Sequence, residues 1–425
     1  MSNMNVVIAV SIFLVAYGLI ISEKIHRAIV SLSGAVLIII FGVLTQEEAV
    51  HGIDFNTIGL LIGMMIIVGI TRRSGIFEYM SIKAAKASKG DPVKILVLLT
   101  LITAVLSAML DNVTTVLLIV PVTFSVTDRL KVNPVPFLLC EVIGSNIGGT
   151  ATLIGDPPNI LIGGATHLGF MDFIVNLTPV IIIILVVTLV LMALIFRKGL
   201  VVAESDRQKV MELDEKAAIK DYGILKKSLV VLAITLIGFF LHQYVHLESA
   251  TIALAGAALL MLVTAEEPED VLLSVEWPTI FFFVGLFILV ESLVKVGVIG
   301  TIAEESLKLT HGDLTLTALL VLWLSGIASA FVDNIPFVTA MIPLLKSIGQ
   351  LTGMTMDPLW WSLSLGACLG GNGTIIGASA NVVVAGISAK YGKPITFMQF
   401  MALGFPLMIV SLIISTVYVY LRYLM

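Results

Sequence analysis

Residues 107–121 read SAMLDNVTTVLLIVP, and residues 329–343 read SAFVDNIPFVTAMIP. Each stretch carries an Asp-Asn pair inside an apolar run, with a proline nine positions after the asparagine. The separation from Asp111 to Asp333, here called the repeat offset, also aligns 54–159 with 276–381 without a gap. A shared apolar composition could match leucine with leucine, but it does not reproduce polar and glycine positions in a fixed order. The chain therefore contains an internal repeat.

The composition places this repeat in a membrane protein. Hydrophobic residues make up 58% of the 425 residues and charged residues only 12%, against about 45–50% and about 25% in soluble domains. The mean hydropathy is +1.08. So few charges cannot cover a water-exposed surface, and the apolar excess has to face lipid. The predicted fold class is an all-α polytopic membrane protein, which excludes soluble enzymes, nucleic-acid binders and secreted disulfide scaffolds.

Eight apolar runs are long enough to cross about 30 Å of hydrocarbon as helices. They lie at about 5–22, 28–45, 55–71, 173–196, 228–245, 249–264, 277–294 and 397–421. Two further stretches, 95–126 and 314–345, surround the Asp-Asn pairs. Each of them is too short for two full crossings and long for one, so we expect re-entrant hairpins with their tips at mid-depth.

Two more apolar stretches, about 136–164 and 358–389, are cut by glycine-rich polar segments. These segments read SNIGGTATLIGDPPN and GGNGTIIGASAN. A helix interrupted at that depth leaves backbone N–H and C=O groups free, which is tolerated only beside a protein-lined cavity. We therefore expect two broken helices, one in each half of the chain.

The distribution of basic residues predicts the orientation of the chain. With the N-terminus outside, 20 of the 24 lysines and arginines lie in cytoplasmic loops, including Lys24 and Arg27 in the first of them, as the positive-inside rule requires. Each repeat holds five crossings and one hairpin, and because five is odd the second copy is inverted. Inverted repeats with discontinuous helices are typical of secondary transporters. The predicted units are a first repeat at 1–196, a cytoplasmic linker at 197–227 and a second repeat at 228–425, with both termini outside the cell membrane.

The hairpin tips hold the strongest candidates for an ion site. A carboxylate near the middle of a bilayer costs at least about 2.5–3.5 kcal/mol and needs compensation, so Asp111 and Asp333 are candidates by position. Asn112 and Asn334 add neutral oxygens, as do Thr114 and Thr115, and hard oxygen ligands suit Na⁺ or H⁺. Asp156 adds a third carboxylate. The alternatives are that the Asp-Asn pairs only cap turns and that the glycines only allow close helix packing.

Four segments resemble a known family. SAMLDNVTTVLLIVP, EVIGSNIGGTATLIGDPPNILI, VDNIPFVTAMIP and GACLGGNGTIIGASANVVVAGI resemble the ArsB/NhaD permease clade of the ion transporter superfamily, and within it the melanosomal P protein and its bacterial relatives. The resemblance implies a scaffold domain, a mobile transport domain, homodimers and elevator-type alternating access. It also implies ion and substrate sites at the hairpin tips and broken-helix loops. On matching positions these sites fall at Asp111, Asn112, Thr114, Thr115, Gly148, Gly149, Thr152, Gly155, Asp156 and Asn159, and at Asp333, Asn334, Asn372, Thr374, Gly377, Ser379 and Asn381.

The tips depart from part of this clade. Dicarboxylate carriers have Ser-Asn-Thr at the tips, whereas here each tip begins with aspartate, which disfavours an anionic substrate unless the carboxylate is neutralised. The first tip is more similar to the Asp-Asn-x-Thr-Thr of the clade's sodium–proton antiporters. The broken-helix loops are more similar to those of the P protein.

The sequence thus predicts a secondary active ion transporter and not an enzyme, most simply a cation/proton antiporter. It would use no cofactor apart from a bound Na⁺ at Asp111, Asn112, Asp333 and Asn334. The alternatives are a carrier for an anion such as arsenite, citrate or a dicarboxylate, and an ion channel. An intramembrane aspartyl protease is disfavoured because the sequence lacks a Gly-x-Gly-Asp motif. Partners would be a small ion or molecule, the lipid bilayer and a second copy of the chain, but no nucleic acid.

Overall fold

The computed structural model describes residues 3–22, 24–166 and 168–425, and this part of the chain is helical with no strand. The helices of the first half are α1 (Asn3–Ser22), α2 (Arg27–Ile40), α3 (Gln46–His51), α4 (Phe55–Arg73), α5 (Ile76–Ala87), α6 (Pro92–Ser107), α7 (Asn112–Leu130), α8 (Val135–Gly149), α9 (Pro157–Ala165), α10 (Phe170–Phe196) and α11 (Glu204–Met211). Those of the second half are α12 (Tyr222–Val245), α13 (Ser249–Thr264), α14 (Pro268–Leu272), α15 (Trp277–Lys295), α16 (Val298–Thr310), α17 (Leu314–Phe331), α18 (Asn334–Thr352), α19 (Asp357–Gly370), α20 (Ser379–Lys390) and α21 (Phe397–Val419).

Nine of the described helices are long and apolar enough to cross a membrane, which agrees with the prediction of a polytopic membrane protein. They are α1, α4, α7, α10, α12, α15, α17, α18 and the helix that begins at Phe397. The predicted crossing at 28–45 is wrong in extent, because α2 is only 14 residues long and ends at Ile40. Gly42, which follows, has a φ of +71°, and this left-handed backbone ends a right-handed helix.

The two helix pairs around the Asp-Asn motifs run past their predicted limits of 95–126 and 314–345. The first pair extends from Pro92 to Leu130, and the second from Leu314 to Thr352. Asp91 and Asp313 accept hydrogen bonds from backbone N–H groups of the first turns of α6 and α17, and these caps mark where the helices begin. With 16 to 19 residues per helix, the pairs are longer than a reading of hydropathy alone predicts.

The sequence repeat corresponds to a repeat of helices. The starts of α4 and α15 are one repeat offset apart, and the same separation holds for α7 and α18 and for α9 and α20. Packing partners repeat as well: α6 packs against α8 as α17 packs against α19, and α9 packs against α18 as α20 packs against α7. The two halves of the chain therefore have equivalent helices with equivalent neighbours.

Two groups of helices can be distinguished by their packing. The first, here called the flanking group, comprises α1, α2, α4, α12, α13 and α15, where α2 packs against α15 and α4 against α13. The second, the site group, comprises α6–α9 and α17–α20. At its centre every residue of 137–149 and 358–370 is buried. The breaks that follow these buried stretches, at 150–156 and 371–378, bring polar side chains into the middle of the molecule.

Candidate functional site

The first hairpin tip is organised by Asp111, the residue that caps the N-terminus of α7. One carboxylate oxygen accepts a hydrogen bond from the backbone N–H of Thr114 at 2.9 Å, and the Thr115 hydroxyl donates to the Asp111 carbonyl at 2.9 Å. The Asp-Asn pair is thus a helix cap, as the capping alternative proposed. The Asp111 side chain also lines the cavity described below, so capping and ion binding are compatible here.

Asp156 lies in the first broken segment and is fully buried. Its Oδ1 accepts hydrogen bonds from the amide Nδ2 of Asn112 at 3.2 Å and from that of Asn334 at 3.4 Å. The Asp156 carboxylate therefore receives one amide from each hairpin tip. Its Oδ2 accepts no hydrogen bond of ordinary geometry among the described residues, and the neighbouring Cys368 thiol is only a weak donor. A buried carboxylate oxygen without a strong donor is costly unless a proton or cation satisfies it.

Asn146 joins the two halves of the chain beside Asp156. Its Nδ2 donates to the Oδ1 atoms of Asn372 and Asn381, both at 2.9 Å, and its Oδ1 accepts from Asn112 at 3.3 Å. All four side chains are buried. The amides form one connected network that holds the first tip against the second half of the chain, and Asp156 extends it to Asn334 of the second tip.

The second hairpin tip is built differently, because Asp333 forms an ion pair. Its Oδ1 caps α18 by accepting from the N–H of Ile335 at 3.0 Å, and its Oδ2 accepts from Arg27 Nη1 at 3.1 Å and from the Ser379 hydroxyl at 2.9 Å. The guanidinium of Arg27 also lies over the ring of Phe282, 4.9 Å from its centre. Arg27 is thus the first residue of α2 and not a residue of a solvent-exposed loop, and the side of the membrane on which it lies stays a prediction.

These groups surround a small cavity between the flanking group and the site group. Its polar lining comes from both hairpin tips, both broken segments and two flanking helices. The lining residues with polar side chains are Arg27, Asp111, Asn112, Asp156, Glu276, Thr279, Asn334 and Ser379. The space open to the centre of a water-sized sphere is about 20 Å³, against the roughly 10–15 Å³ that one water molecule needs. In this conformation the cavity accommodates one small ion or water.

The remaining predicted site residues hold the backbone instead of lining the cavity. The Thr152 hydroxyl donates to the Ala108 carbonyl, and the Thr374 hydroxyl donates to the Ala330 carbonyl. Asn159 donates to the carbonyls of residues 150 and 152, and Asn381 to those of 371 and 374. Contacts of the same kind therefore recur at equivalent positions of the two halves. They satisfy the backbone groups that the helix breaks leave free and tie each broken segment to its hairpin tip.

The predicted glycines are sites of close packing. A Cβ on Gly155 would lie 2.5 Å from the carbonyl oxygens of residues 149 and 107, and one on Gly377 would lie 2.7 Å from the carbonyl oxygen of residue 371. Gly148 and Gly149 are equally crowded by backbone atoms. The packing alternative therefore accounts for these four positions.

The predicted Na⁺ set does not form one cluster. Asn112 and Asn334 meet at Asp156, but Asp333 is directed to Arg27 and Ser379. Among the described residues, no group of three or more His, Cys, Asp or Glu side chains could hold a metal ion. Oxygen ligands for a cation in this cavity would have to combine Asp111 and Asp156 with the two amides.

Comparison with known proteins identifies the family. The model of the citrate transporter family, CitMHS, matches residues 17–366. The chain belongs to this family. Its membership confirms the prediction of a membrane transporter and not an enzyme.

Relatives in the family extend over nearly the whole chain. An uncharacterized transporter of Mycobacterium tuberculosis (strain H37Rv) is 45% identical over 424 residues, which cover 98% of each protein. The human P protein is 36% identical over 498 aligned positions, which cover 97% of this chain and 59% of the P protein. The resemblance to the P protein and its bacterial relatives is therefore confirmed.

A solved structure shows the same fold. The YdaH transporter of Alcanivorax borkumensis superposes with a TM-score of 0.59 at 15% sequence identity, covering 88% of this chain and 87% of YdaH. At that identity the likeness concerns the fold alone. This member of the citrate transporter family therefore has a YdaH-like transporter fold.

Sequence reasoning missed four residues of the site: Arg27, Asn146, Glu276 and Thr279. Arg27 stands at the start of an apolar run, where a basic residue is ordinarily an interfacial one. Asn146 lies within the first broken-helix motif, but its position in the second half is taken by Cys368, so the repeat did not single it out. Glu276 precedes Trp277 at the start of α15. An asparagine inside a largely apolar helix is a signal that could have found Asn146.

Proposed function

We propose that this transporter is driven by, or exchanges, a monovalent cation, Na⁺ or H⁺, which binds between Asp111 and Asp156. The observation that carries the proposal is the fully buried Asp156, whose Oδ2 accepts no hydrogen bond of ordinary geometry among the described residues and which lines a cavity the size of one small ion. Asn112 and Asn334 hold the other oxygen of that carboxylate, one from each half of the chain. A cation at this point would interact with both halves at once.

The charge balance around the cavity supports a cation. Four carboxylates, Asp111, Asp156, Glu276 and Asp333, lie in or beside the cavity, against the single guanidinium of Arg27 among the described residues that line it. In a medium of low dielectric constant an excess of negative charge is stabilised by cations and repels anions. Hard oxygen ligands of this kind fit Na⁺ or a proton and do not fit a soft metal. No other cofactor is needed in this scheme.

An anion carrier is the second candidate, and two observations favour it. The matching family model is described as a citrate transporter, and the guanidinium of Arg27 could bind a carboxylate of a substrate. A tricarboxylate needs more room than about 20 Å³, so on this proposal the cavity opens before substrate enters. The carboxylates would then serve only the coupling cation.

We further propose that the two halves are inverted repeats, with re-entrant hairpins formed by α6–α7 (Pro92–Leu130) and α17–α18 (Leu314–Thr352) and both termini outside the cell membrane. The helix starts that recur at the repeat offset support equivalent halves. The six basic residues of 72–94, against two in 294–316, support opposite orientations. On this proposal the site group moves against the flanking group in an elevator-type cycle, and the protein is a homodimer.

Flux in proteoliposomes tests the proposed function. Purified protein is reconstituted, pH and Na⁺ gradients are imposed separately, and a panel of Na⁺, citrate and arsenite is offered. We expect Na⁺- or pH-driven cation movement that saturates with concentration. Uptake of citrate or arsenite without any cation-driven component would overturn the proposal, and single-channel currents would show a pore instead of a carrier.

Replacing Asp156 by asparagine should abolish cation-driven flux, because the amide is isosteric but removes the charge that binds the cation. Glu141→Gln is the matched control. Glu141 is also buried, with Oε1 accepting from the Thr123 hydroxyl at 2.6 Å and Oε2 without a partner in the described part of the chain, but it does not line the cavity. We expect the Gln variant to keep cation-driven flux. Equal losses in both variants would contradict the assignment of Asp156 to the site.

A further inference from the structure

We propose that Arg27 is a built-in cation for the second hairpin tip, so that only the first tip is left for the exchangeable cation. The inference rests on the proposed function. Arg27 Nη1 lies 3.1 Å from Asp333 Oδ2 and 2.5 Å from the Ser379 hydroxyl, which itself donates to the same carboxylate oxygen. The side chains of Arg27 and Asp333 are 26% and 17% exposed, so water screens the pair only in part.

The equivalent tip in the first half has no such cation. At the repeat offset the counterpart of Arg27 is Ser249, and that of Ser379 is Pro157. Asp111 forms no ion pair within the described ranges, and its cap to Thr114 engages a neutral N–H. The repeat is therefore symmetric in its helices and caps but asymmetric in charge. One aspartate is neutralised by the protein, while the other is left for an ion from solution.

The position of Arg27 in the fold makes this neutralisation specific. Arg27 begins α2, which belongs to the flanking group and packs against α15, whereas Asp333 caps α18 and Ser379 begins α20, both of the site group. The ion pair thus joins the two groups at the edge of the cavity, and in the proposed elevator-type cycle it opens when the site group moves away and re-forms when that group returns. The ring of Phe282 on α15 supports the guanidinium through a cation–π contact, which keeps it directed at the tip.

In the conformation in which the ion pair is closed, the guanidinium of Arg27 sets the number of mobile cations that the site binds. With Arg27 present, Asp333 needs no ion from solution. Without it, the largely buried Asp333 carboxylate is uncompensated, which is costly, and a second cation from solution would be recruited. We therefore expect Arg27→Gln to carry one more coupling cation per transport cycle than the wild type. If the wild type carries one coupling cation per transport cycle, the change would double the coupling ratio, which is the number of these cations per cycle.

The test measures the coupling ratio in proteoliposomes by the null-point method, in which the membrane potential that stops net flux is found for a fixed gradient of the coupling cation. Arg27→Gln should raise the ratio by one. Arg27→Lys, which keeps the charge, should leave it at the wild-type value. Asp333→Asn alone leaves Arg27 unpaired and should lower flux, whereas the neutral pair R27Q/D333N needs no added cation and should show the wild-type coupling ratio.

Arg73→Gln is the matched control, because Arg73 pairs with Glu266 away from the cavity and its loss should leave the ratio unchanged. An unchanged ratio in Arg27→Gln, or a double variant that fails to fold or to transport, would overturn the inference. A higher half-saturation concentration for citrate in Arg27→Gln that the double variant does not restore would also overturn the inference, since Arg27 would then be a substrate ligand. Absence of cation-driven flux in the wild type is a different result, which rejects the proposed function itself.

Discussion

At the scale of single residues, the centre of this protein is held by asparagine amides more than by charges. Asn146 donates to two amide oxygens from the second half and accepts from Asn112 in the first. Asn159 and Asn381 each donate to two backbone carbonyls of a broken segment. An amide carries both a donor and an acceptor, so it can bridge groups of either kind without adding a buried charge. These side chains explain how helix breaks persist inside an apolar core.

Replacing Asn146 by alanine should therefore destabilise the protein. The substitution leaves the Oδ1 atoms of Asn372 and Asn381 without that donor, and a buried polar group left unsatisfied costs about 1–3 kcal/mol. Thermal unfolding of the purified protein in detergent measures the effect. Ser415→Ala is the control, because the buried Ser415 hydroxyl already has no hydrogen-bond partner in the described structure, and its removal should change little. Similar melting temperatures for the two variants would contradict the bridging role.

At the scale of elements, each half is organised by a close crossing of two helices. A Cβ on Gly148 in α8 would lie 2.0 Å from the Ala104 carbonyl oxygen of α6, and one on Gly370 in α19 would lie 2.5 Å from the Gly326 carbonyl oxygen of α17. Both partners of one crossing are equivalent, at the repeat offset, to both partners of the other. Glycine allows the backbones to approach, and this approach places each broken segment against its hairpin tip.

Gly148→Ala should separate α6 from α8 and disturb the first tip. The backbone oxygen that the new Cβ meets cannot rotate away, and overpacking of a rigid core costs about 1–3 kcal/mol or more. We expect a lower yield of monodisperse protein and a lower melting temperature in size-exclusion and thermal assays. Gly386→Ala is the control, since a Cβ at that position meets no atom within 4 Å. If both variants behaved as the wild type does, the crossing would not depend on glycine.

At the scale of the whole molecule, the segment between the halves connects the two groups of helices. α11 packs against α7 of the site group, with Asp206 paired to Lys209 at 2.6 Å and to Lys131 at 3.3 Å. Further along, the backbone N–H of Lys220 donates to the Ser74 carbonyl after α4, at 2.9 Å. Predicted only as a charged linker, this segment is ordered against the helices by ion pairs and backbone contacts.

The docking of α11 should depend on pH in a defined direction. The hydrogen bond from Lys209, with a contribution from Lys131, lowers the pKa of the Asp206 carboxyl. The ion pair of Asp206 with Lys131, which joins α11 to the end of α7, therefore stabilises the docked segment above the ordinary aspartate pKa of about 3.9. This contribution is lost only as the pH falls through the lowered value.

We expect hydrogen exchange of residues 204–213 to show the same protection at pH 7 and pH 5, after correction for intrinsic rates. Asp206→Asn should exchange faster at both values, because it lacks the charge at any pH. Glu204→Gln is the control, since Glu204 is well exposed and pairs only at 3.9 Å. Protection that falls between pH 7 and pH 5 in the wild type would contradict the assignment.

The orientation of the halves can be read from paired cysteine labels. Lys83 on α5 and Glu305 on α16 are exposed and occupy equivalent positions of the repeat, while the native Cys140 and Cys368 are buried. If the repeats are inverted, a membrane-impermeant maleimide should label Glu305→Cys in intact cells, and Lys83→Cys only after permeabilisation. Labelling of both positions from the same side would mean that the repeats are parallel.

Much of the fold could be predicted because its boundaries are marked by single residues. Asp111 and Asp333 cap α7 and α18, and Asp91 and Asp313 cap α6 and α17, so the match of these residues at one offset aligned whole helices. The helix lengths around the tips could not be predicted from hydropathy, because polar residues such as Thr127, whose hydroxyl is satisfied within its own helix, are accommodated past the end of the apolar run.

Composition and the internal repeat determined that this chain is a helical membrane protein with two equivalent halves. Apolar composition and the residues that begin and end helices are local properties of the sequence. Tertiary structure alone decided which charges meet. Asp333 pairs with an arginine 306 positions earlier in the chain, and Asp156 receives one amide from each tip. Such pairings depend on how distant helices cross, since electrostatic interactions act through space over a few ångströms. They cannot be inferred from the spacing of residues in the sequence.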